Sequence, residues 1–356
     1  MTDCMLHLHR YKKVKVIKVK KKRVGMRKIN YYLSSVMYSL VPNPIMRGYV
    51  NFRLNRLSTE QRQSLQHRLN YYHQVQSSFT TTASAKPVSE FRKNCGSTYY
   101  YDMLKVIKGF APHFDFDFIH GDVTEVPSSP TFVKSRPIAG NNQNSILLKL
   151  NEIRHYRFVR DSLSFSEKSD QVVWRGSGFR PNRRLLLEHY FRHPRCNVGR
   201  TDTEDADQLH YVLPKMSIKD QLNYKFILSL EGKDVATNLK WIMSSNSLVM
   251  TPKLVYETWF MEGKLVPGVH YVELKDDFSD LIEKMDYYLA HPQEAEQIIA
   301  NANLWVEQFK QRDQERLLSY LVAERYFDLS QLPQPKSAPV WPWLWNKTKP
   351  TPESVQ

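Results

Sequence analysis

The segment WRGSGFRPNRR, residues 174–184, combines residue types that suit a diphosphate-binding loop. Gly176 lets the backbone approach a ligand closely, and Ser177 can donate a hydrogen bond. Arg175 and Arg183 supply forked N–H donors that match the oxygens of a phosphate. A basic turn on a solvated surface has the same composition, so the segment by itself leaves both interpretations open.

A second glycine-bearing segment, EGKDVATNLKWIM at 231–243, follows an apolar run that predicts a buried strand. Gly232 and Asp234 lie in the predicted loop, and Thr237 or Asn238 is expected to help start a short helix. In a parallel α/β sheet, such a unit directs the loop and the helix N-terminus to the carboxyl edge of the strands, where backbone N–H groups favour a phosphate. Two such turns in one domain can hold one nucleotide, which favours the phosphate interpretation for both.

Asp122 closes the segment HFDFDFIHGD, residues 113–122, whose alternating phenylalanines predict a strand. It opens a long loop rich in proline and asparagine, where catalytic side chains are commonly displayed. A carboxylate there can take a proton from an attacking hydroxyl, although a lone aspartate can equally cap a turn. Asp115 and Asp117 form an Asp-x-Asp pair of the kind that holds a divalent cation, but their alternation with phenylalanine favours the polar face of a strand. No metal site is therefore predicted.

The elements that position these residues alternate between strands and helices in the second half of the chain, which predicts a parallel, Rossmann-like sheet. The 356 residues suffice for two domains, and the apolar and charged fractions, 41% and 24%, are those of a soluble globular protein. No apolar run is long enough to span a bilayer, and three isolated cysteines predict neither a disulfide framework nor a zinc site. We therefore expect a cytoplasmic protein.

The net charge of +15 is concentrated near the N-terminus, because residues 1–30 hold eleven lysines and arginines against Asp3 alone. We predict that residues 1–27 form a disordered basic leader, which either is merely solvated or binds nucleic acid or anionic lipid without sequence specificity. Met26 would also be a reasonable start, so an over-long reading frame is a further hypothesis. The Pro- and Trp-rich tail at 328–356 is predicted to lack regular structure, and its tryptophans suit a membrane interface.

Three ordered blocks, WRGSGF, QLNYKFILSLEGKDVATNLKWIMSSNSLVM and YETWFMEGKLVPGVHYVELKDDFSDL, resemble glycosyltransferase family 90. The resemblance covers roughly residues 28–327 and is strongest to the bacterial lipopolysaccharide inner-core glycosyltransferases of that family. Eukaryotic protein O-glucosyltransferases and fungal capsule-associated transferases are more distant. The resemblance implies an α/β, GT-B-like fold in which two Rossmann-like domains face a cleft. The N-terminal acceptor-side domain would span 28–165 and the C-terminal nucleotide-sugar-binding domain 166–327.

The resemblance also assigns roles to individual residues. Asp122 occupies the position of the family's catalytic aspartate, and Ser177 and Arg183 match its donor-binding serine and phosphate-binding arginine. Asn238 stands where the eukaryotic relatives have an arginine, and Lys240, two residues on, is a candidate to supply that charge. Members of the family invert the anomeric carbon and generally need no metal, so the resemblance implies neither a metal nor another cofactor.

These residues and the resemblance together predict an inverting transfer of a hexose, glucose or galactose, from a UDP-sugar to the lipid-linked core oligosaccharide of lipopolysaccharide. The expected partners are the UDP-hexose, this acceptor and, through the basic leader, the anionic surface of the inner membrane, with no specific nucleic acid. The enzyme is then cytoplasmic and peripherally bound to that membrane. Two alternatives stay open, a protein O-glycosyltransferase of the same family and a non-enzymatic, basic nucleic-acid-binding protein.

Overall fold

The computed structural model describes residues 25–94, 96–204 and 206–330, which form a mixed α/β structure. The helices are α1 (Met26–Leu40), α2 (Asn43–Asn55), α3 (Thr59–Tyr72), α4 (Ser97–Ile107), α5 (Glu152–His155), α6 (Pro181–Tyr190), α7 (Ile218–Gln221), α8 (Leu239–Ile242), α9 (Leu281–Ala290), α10 (Pro292–Glu307) and α11 (Arg312–Leu329). The strands are β1 (Lys86–Pro87), β2 (Asp115–Phe116), β3 (Thr131–Val133), β4 (Ser135–Pro137), β5 (Ser145–Leu147), β6 (Ser169–Gly176), β7 (Cys196–Arg200), β8 (Tyr224–Leu228), β9 (Leu248–Pro252), β10 (Tyr256–Thr258) and β11 (Val272–Leu274).

The predicted parallel sheet is confirmed in the second half of the chain. Five parallel strands lie side by side in the order β7, β6, β8, β9 and β11. The chain passes from β6 to β7 on one side and then returns to place β8 on the other side of β6, so the strand order reverses between β6 and β8. In doubly wound sheets of this kind, ligands bind outside the carboxyl ends of the strands at such a reversal.

The sheet is buried on both faces, which explains why its central strands are continuous apolar runs. Alternate residues of β6 face opposite sides, with Val172 and Trp174 in one hydrophobic cluster and Val173 in the other. Helices α6 and α9 and the first half of α10 contribute to the first cluster. The second cluster continues into the core of the N-terminal half, which includes Phe132 and Tyr326.

The N-terminal half consists mainly of helices α1 to α5. Among the described residues before β6, strands pair only in two-stranded ladders, β1 with β2 and β3 with β5, and no second sheet like that of the C-terminal half is present. Later segments complete this half, because β10 pairs with β4 and α11 packs on α2, α3 and α4. The two-domain GT-B arrangement and the domain boundary near residue 165 therefore remain predictions.

The strand predicted over 113–122 is much shorter in the structure. Only β2, Asp115–Phe116, pairs with β1, and Phe118 makes an isolated bridge to Phe132. The phenylalanines pack instead in an aromatic cluster, in which the ring centroids of Phe116 and Phe118 are 5.3 Å apart and Phe114 contacts Phe327. The alternation thus reflects packing of aromatic rings more than a long strand ladder.

Both predicted terminal segments fall mostly outside the described residues, in 1–24 and 331–356. At their inner edges the structure moves the predicted boundaries, since Met26 and Arg27 begin α1 and α11 extends to Leu329. Within the described residues, no helix has the length and apolar character needed to cross a bilayer.

Candidate active site

The two glycine-bearing segments identified in the sequence meet at the strand reversal, where the loops after β6 and β8 lie next to each other. Arg183, in the first turn of α6, bridges them through its guanidinium. Its Nη1 donates to the carbonyl of Ser177 at 3.0 Å, and its Nη2 donates to the carbonyl of Leu230 at 2.7 Å. The structure therefore brings Ser177, Arg183 and Gly232 into one site.

Gly232 provides the room that this bridge needs. A Cβ atom at Gly232 would lie 3.2 Å from Nη2 of Arg183, closer than nearly all such contacts. Burial, with Arg180 nearby, lowers the pKa of Arg183 to about 10, and Asp202 opposes this shift only in part. The Nε atom of Arg183 is buried without a hydrogen-bond partner in the described part of the chain. This half-buried, incompletely compensated cation at the carboxyl edge of the sheet suits an anionic ligand.

Asp202 holds the loop that follows β6. It accepts hydrogen bonds from Ser177 Oγ at 2.7 Å, from the Gly178 N–H at 3.0 Å and from Arg200 Nε at 2.9 Å. Although burial favours the neutral acid, these hydrogen bonds hold the pKa of Asp202 well below its usual range. Asp202 follows β7, which lies next to β6 in the sheet. Only the pairing of β6 with β7 therefore shows that Asp202 holds the loop after β6.

Asp122 and Asp234, predicted from separate parts of the sequence, contact the same lysine. Nζ of Lys134 lies 2.6 Å from Oδ1 of Asp122 and also forms an ion pair with Asp234. Ser135 Oγ donates to Oδ2 of Asp234 at 2.7 Å. Sequence reasoning missed Lys134, which lies between the short strands β3 and β4. Its position within the largely apolar run TFVK was the available signal.

The environment of Asp122 keeps it charged and accessible. Gly121, just before it, has a φ of +103°, a left-handed turn that glycine permits. Burial raises the pKa of Asp122, but the hydrogen bond and charge of Lys134 outweigh burial, and the pKa lies below its usual value. The described hydrogen bonds, from Lys134 and from Tyr99 Oη at 3.2 Å, both end on Oδ1. With its side chain 32% exposed, Asp122 can accept a proton on Oδ2.

Arg154 in α5 adds positive charge between the two parts of this site. Its charge contributes to lowering the pKa of Asp122 and also that of Arg183. It is exposed and belongs to a four-residue helix. Because α5 lies far from both other segments in the sequence, only the fold identifies Arg154 as a neighbour of the site.

Two predicted donor-binding residues are engaged elsewhere, which corrects their assignment. Arg175 donates to the carbonyl of Asn197 at 2.7 Å and to its Oδ1 at 2.6 Å, so its guanidinium ties β6 to β7. Lys240 is fully buried in an ion pair with Glu262, with 2.6 Å between Nζ and Oε1. A fully buried cation with its own carboxylate partner is not available to a phosphate, because breaking such a pair is costly.

The loop before α8 is expected to present free backbone N–H groups, but at least one of them is already engaged within the loop. The N–H of Gly232 donates to the carbonyl of Asp234 at 2.8 Å. Helix α8 has four residues, and Asn238 before it makes no capping bond but donates from Nδ2 to the carbonyl of Leu228 at 2.8 Å. Thr237 is half-buried in the turn. In this region the structure thus connects Gly232 with Arg183 and Asp234 with Lys134, rather than either residue with a helix end.

The Asp-x-Asp pair Asp115 and Asp117 does not form a metal centre in the described residues. Asp117 accepts hydrogen bonds from the backbone N–H and the hydroxyl of Thr82, so it is a structural residue. The segment Asp205-Ala-Asp207 has the same spacing, but Asp205 lies outside the described residues. Across the parts of the chain that the structure describes, no three His, Cys, Asp or Glu side chains are grouped so as to hold a metal ion. That the reaction needs no metal stays a prediction.

A cavity of about 940 Å³ lies apart from these residues, between α1, α4, α5 and α11. Its lining includes Tyr31, Asp102 and Lys149 but none of the residues predicted to bind a donor. Location at the strand reversal, rather than cavity size, therefore identifies the candidate site.

The comparisons with known proteins identify the family of this chain. The family model described as Glycosyl transferase family 90 matches residues 149–326, a range that includes the loops after β6 and β8. The chain is similar to O-glucosyltransferase LpsA of Dichelobacter nodosus, with 42% identity over 305 residues that cover 85% of this chain and 96% of that protein.

Eukaryotic proteins match more weakly. Protein O-glucosyltransferase 2 of Danio rerio is 25% identical over 181 residues, 48% of this chain and 35% of that protein. Protein O-glucosyltransferase 3 of Homo sapiens is 26% identical over 167 residues, 46% of this chain and 33% of that protein. The resemblance inferred from the three sequence blocks is thereby confirmed, and this chain belongs to glycosyltransferase family 90 and is a glycosyltransferase.

Proposed function

We propose that this enzyme transfers a hexose, glucose or galactose, from a UDP-sugar to the inner core oligosaccharide of lipopolysaccharide, with inversion at the anomeric carbon. One observation carries the proposal, namely that Lys134 contacts both Asp122 and Asp234. Asp234 belongs to the loop that contains Gly232, beside which the Arg183 guanidinium lies. A proton-accepting carboxylate and a phosphate-binding arginine are thus parts of one site.

The proposed chemistry is a single in-line displacement. Oδ2 of Asp122 takes the proton of the acceptor hydroxyl as the hydroxyl oxygen bonds to the anomeric carbon. The bond from that carbon to the β-phosphate oxygen breaks, and UDP leaves with the electron pair. Arg183 stabilises the negative charge that develops on the diphosphate, so that no metal is needed for this role. The Ser177 hydroxyl, which donates to Asp202 in the structure, would add to this after turning toward the diphosphate.

We choose the acceptor by comparing how much of each relative the match to this chain covers. The similarity to O-glucosyltransferase LpsA covers 96% of that protein, whereas the matches to the two protein O-glucosyltransferases named above cover about a third of each. A protein acceptor is the second candidate, favoured by those partial matches. Membership of a glycosyltransferase family argues against a non-enzymatic nucleic-acid-binding protein.

A lipid-linked acceptor would place the enzyme at the cytoplasmic face of the inner membrane. The eleven basic residues among residues 1–30 supply charge that attracts anionic lipid. Peripheral membrane association is therefore part of the proposal.

The test is UDP release by the full chain with UDP-glucose or UDP-galactose, in EDTA, with deacylated core oligosaccharide or a folded protein domain as acceptor. We expect release that depends on the core oligosaccharide and falls about 10²- to 10⁴-fold in Asp122→Asn. Asp276→Asn is the matched control, because Asp276 is an exposed aspartate outside the site.

The other outcomes are equally informative. A strict requirement for Mn²⁺ would contradict the metal-free mechanism. Full activity in Asp122→Asn would remove Asp122 as the base, and transfer to the protein domain alone would support the second candidate. Inversion is checked separately, by determining the anomeric configuration of the product by NMR.

A further inference from the structure

Helix α1 turns its polar face toward the protein and its apolar face outward. Its inward side is held by hydroxyl groups: Tyr31 Oη donates to Asp102 Oδ1 at 2.7 Å, and the hydroxyls of Tyr38 and Tyr320 lie 2.8 Å apart. Within α1, Ser35 is the residue that is buried. This is the reverse of the usual arrangement, in which the apolar stripe of a surface helix faces the core.

The outward face of α1 is a continuous apolar stripe. Its members recur every three or four residues, which places them on one side of the helix. They are between 40% and 71% exposed, and they are Met26, Ile29, Leu33, Val36, Met37 and Leu40. Ile45 and Phe52 of α2, 61% and 52% exposed, are further exposed apolar residues close by in the chain. Contiguous exposed apolar surface of this kind marks an interaction site.

The chain segment that carries this stripe has only positively charged side chains. From residue 4 to residue 59 the sequence contains no aspartate or glutamate. The two helices carry four arginines and lysines, and residues 1–24 of the sequence before α1 contain nine more. A segment that combines exposed apolar side chains with cations and has no carboxylate of its own matches an anionic bilayer, in which the apolar groups enter the acyl boundary and the cations meet the headgroups.

We infer that the stripe of α1, together with Ile45 and Phe52, is a membrane-docking surface that inserts shallowly into an anionic bilayer. Helix α1 lies along the membrane plane, since it is amphipathic and too polar to span the bilayer. This deepens the proposed function, which rests on a lipid-linked acceptor, by naming the surface that meets the lipid. Docking is measured without any sugar donor, so its failure is distinct from failure of the proposed reaction.

The test is co-sedimentation of the full chain with vesicles of phosphatidylcholine alone or of an equal mixture with phosphatidylglycerol. We expect binding to the mixed vesicles that high salt weakens but does not abolish, because apolar insertion is not screened. The triple variant Leu33→Gln, Met37→Gln, Leu40→Gln should lower the partition coefficient about tenfold or more and bind negligibly at high salt. Glutamine is a good helix former, so α1 is retained.

A matched pair of single variants tests whether the loss of just any exposed leucine weakens vesicle binding. Leu40 in α1 and Leu304 in α10 are 71% and 74% exposed, and we expect Leu40→Gln to weaken binding while Leu304→Gln does not. Equal binding of the triple variant and the wild type at every salt concentration would overturn the inference and assign binding to the leader alone. A wild-type dimer that the triple variant converts to a monomer, with vesicle binding unchanged, would overturn it in favour of a second copy of the chain.

Discussion

Asp122 and Asp234 are held together by one buried ammonium group, that of Lys134, whose side chain is only 2% exposed. Burial raises the pKa of Asp234, while the charge of Lys134 opposes this shift. The charge of Asp234 in turn offsets the burial of Lys134, and the pKa of the lysine lies above its usual value. One cation therefore joins the proposed base to the loop after β8.

Replacing Lys134 tests this arrangement. Lys134→Met leaves two carboxylates near each other without their cation, so we expect the free energy of unfolding to fall by about 3–5 kcal/mol. Urea denaturation measures the change. The double variant Lys134→Met, Asp234→Asn should recover part of the loss, because the second change removes an unpaired buried charge.

A lysine that pairs with an exposed carboxylate provides the control for that measurement. Lys225 pairs with Asp170, which is 65% exposed, and Lys225→Met should cost less than about 1 kcal/mol. Similar losses for both lysines would contradict a special role for Lys134.

Arg183 and Arg175 should respond differently to the same substitution. Arg183→Lys loses the fork that reaches the carbonyls of Ser177 and Leu230, and we expect the KM for the sugar donor to rise about tenfold. Arg175→Lys should leave that KM unchanged and lower the melting temperature, because the Arg175 guanidinium bonds to Asn197. Initial rates at varied donor concentration measure both. An equal rise in KM for the two variants would contradict the placement of Arg175 outside the site.

Gly232→Ala probes the space beside Arg183. The new methyl group would lie 3.2 Å from Nη2 of Arg183, so the guanidinium must shift, and we expect the donor KM to rise severalfold. Gly48→Ala is the control, since a Cβ atom there meets nothing within 4 Å and Gly48 lies inside α2. That change should raise stability by about 0.5–1 kcal/mol and leave the KM alone. An unchanged KM in Gly232→Ala would show that Arg183 is not sensitive to this contact.

The stability of the enzyme should depend on pH through Glu231, which follows β8. Burial raises the pKa of Glu231 to about 7 from an ordinary 4.5. Between these two pH values the folded protein keeps the carboxyl proton of Glu231, whereas the unfolded chain releases it. The stability that Glu231 contributes is therefore fully present below the unfolded pKa of 4.5 and is lost as the pH rises through the folded pKa of about 7.

Glu231→Gln removes this titration. We expect the melting temperature of the variant to fall less than that of the wild type between about pH 5 and about pH 8. Glu296→Gln, at an exposed glutamate in α10, should follow the wild type. Parallel melting profiles for Glu231→Gln and the wild type would contradict a raised pKa.

Part of this enzyme could be predicted from local sequence alone. The apolar runs of β6 and β8 predicted buried parallel strands, because strands covered on both faces need apolar residues at successive positions. The glycine, serine and arginine residues in the segments after these strands predict that both segments bind one ligand. This prediction needs no tertiary structure, because backbone freedom and hydrogen-bond donors are properties of the residues themselves. These properties and the family resemblance predict roles for Asp122, Ser177 and Arg183.

The tertiary structure alone determines which charged side chains lie at the candidate site. Lys240 and Arg175 carry the charge that suits a phosphate, but packing places one against Glu262 and ties the other to Asn197. Lys134 and Asp202 enter the site from segments that the sequence did not single out. A charged side chain binds whichever partner the fold brings within reach, and that partner depends on strand pairing between distant segments. Residue types and spacing predicted the chemistry available to this chain, and the fold determined which of those groups share one site.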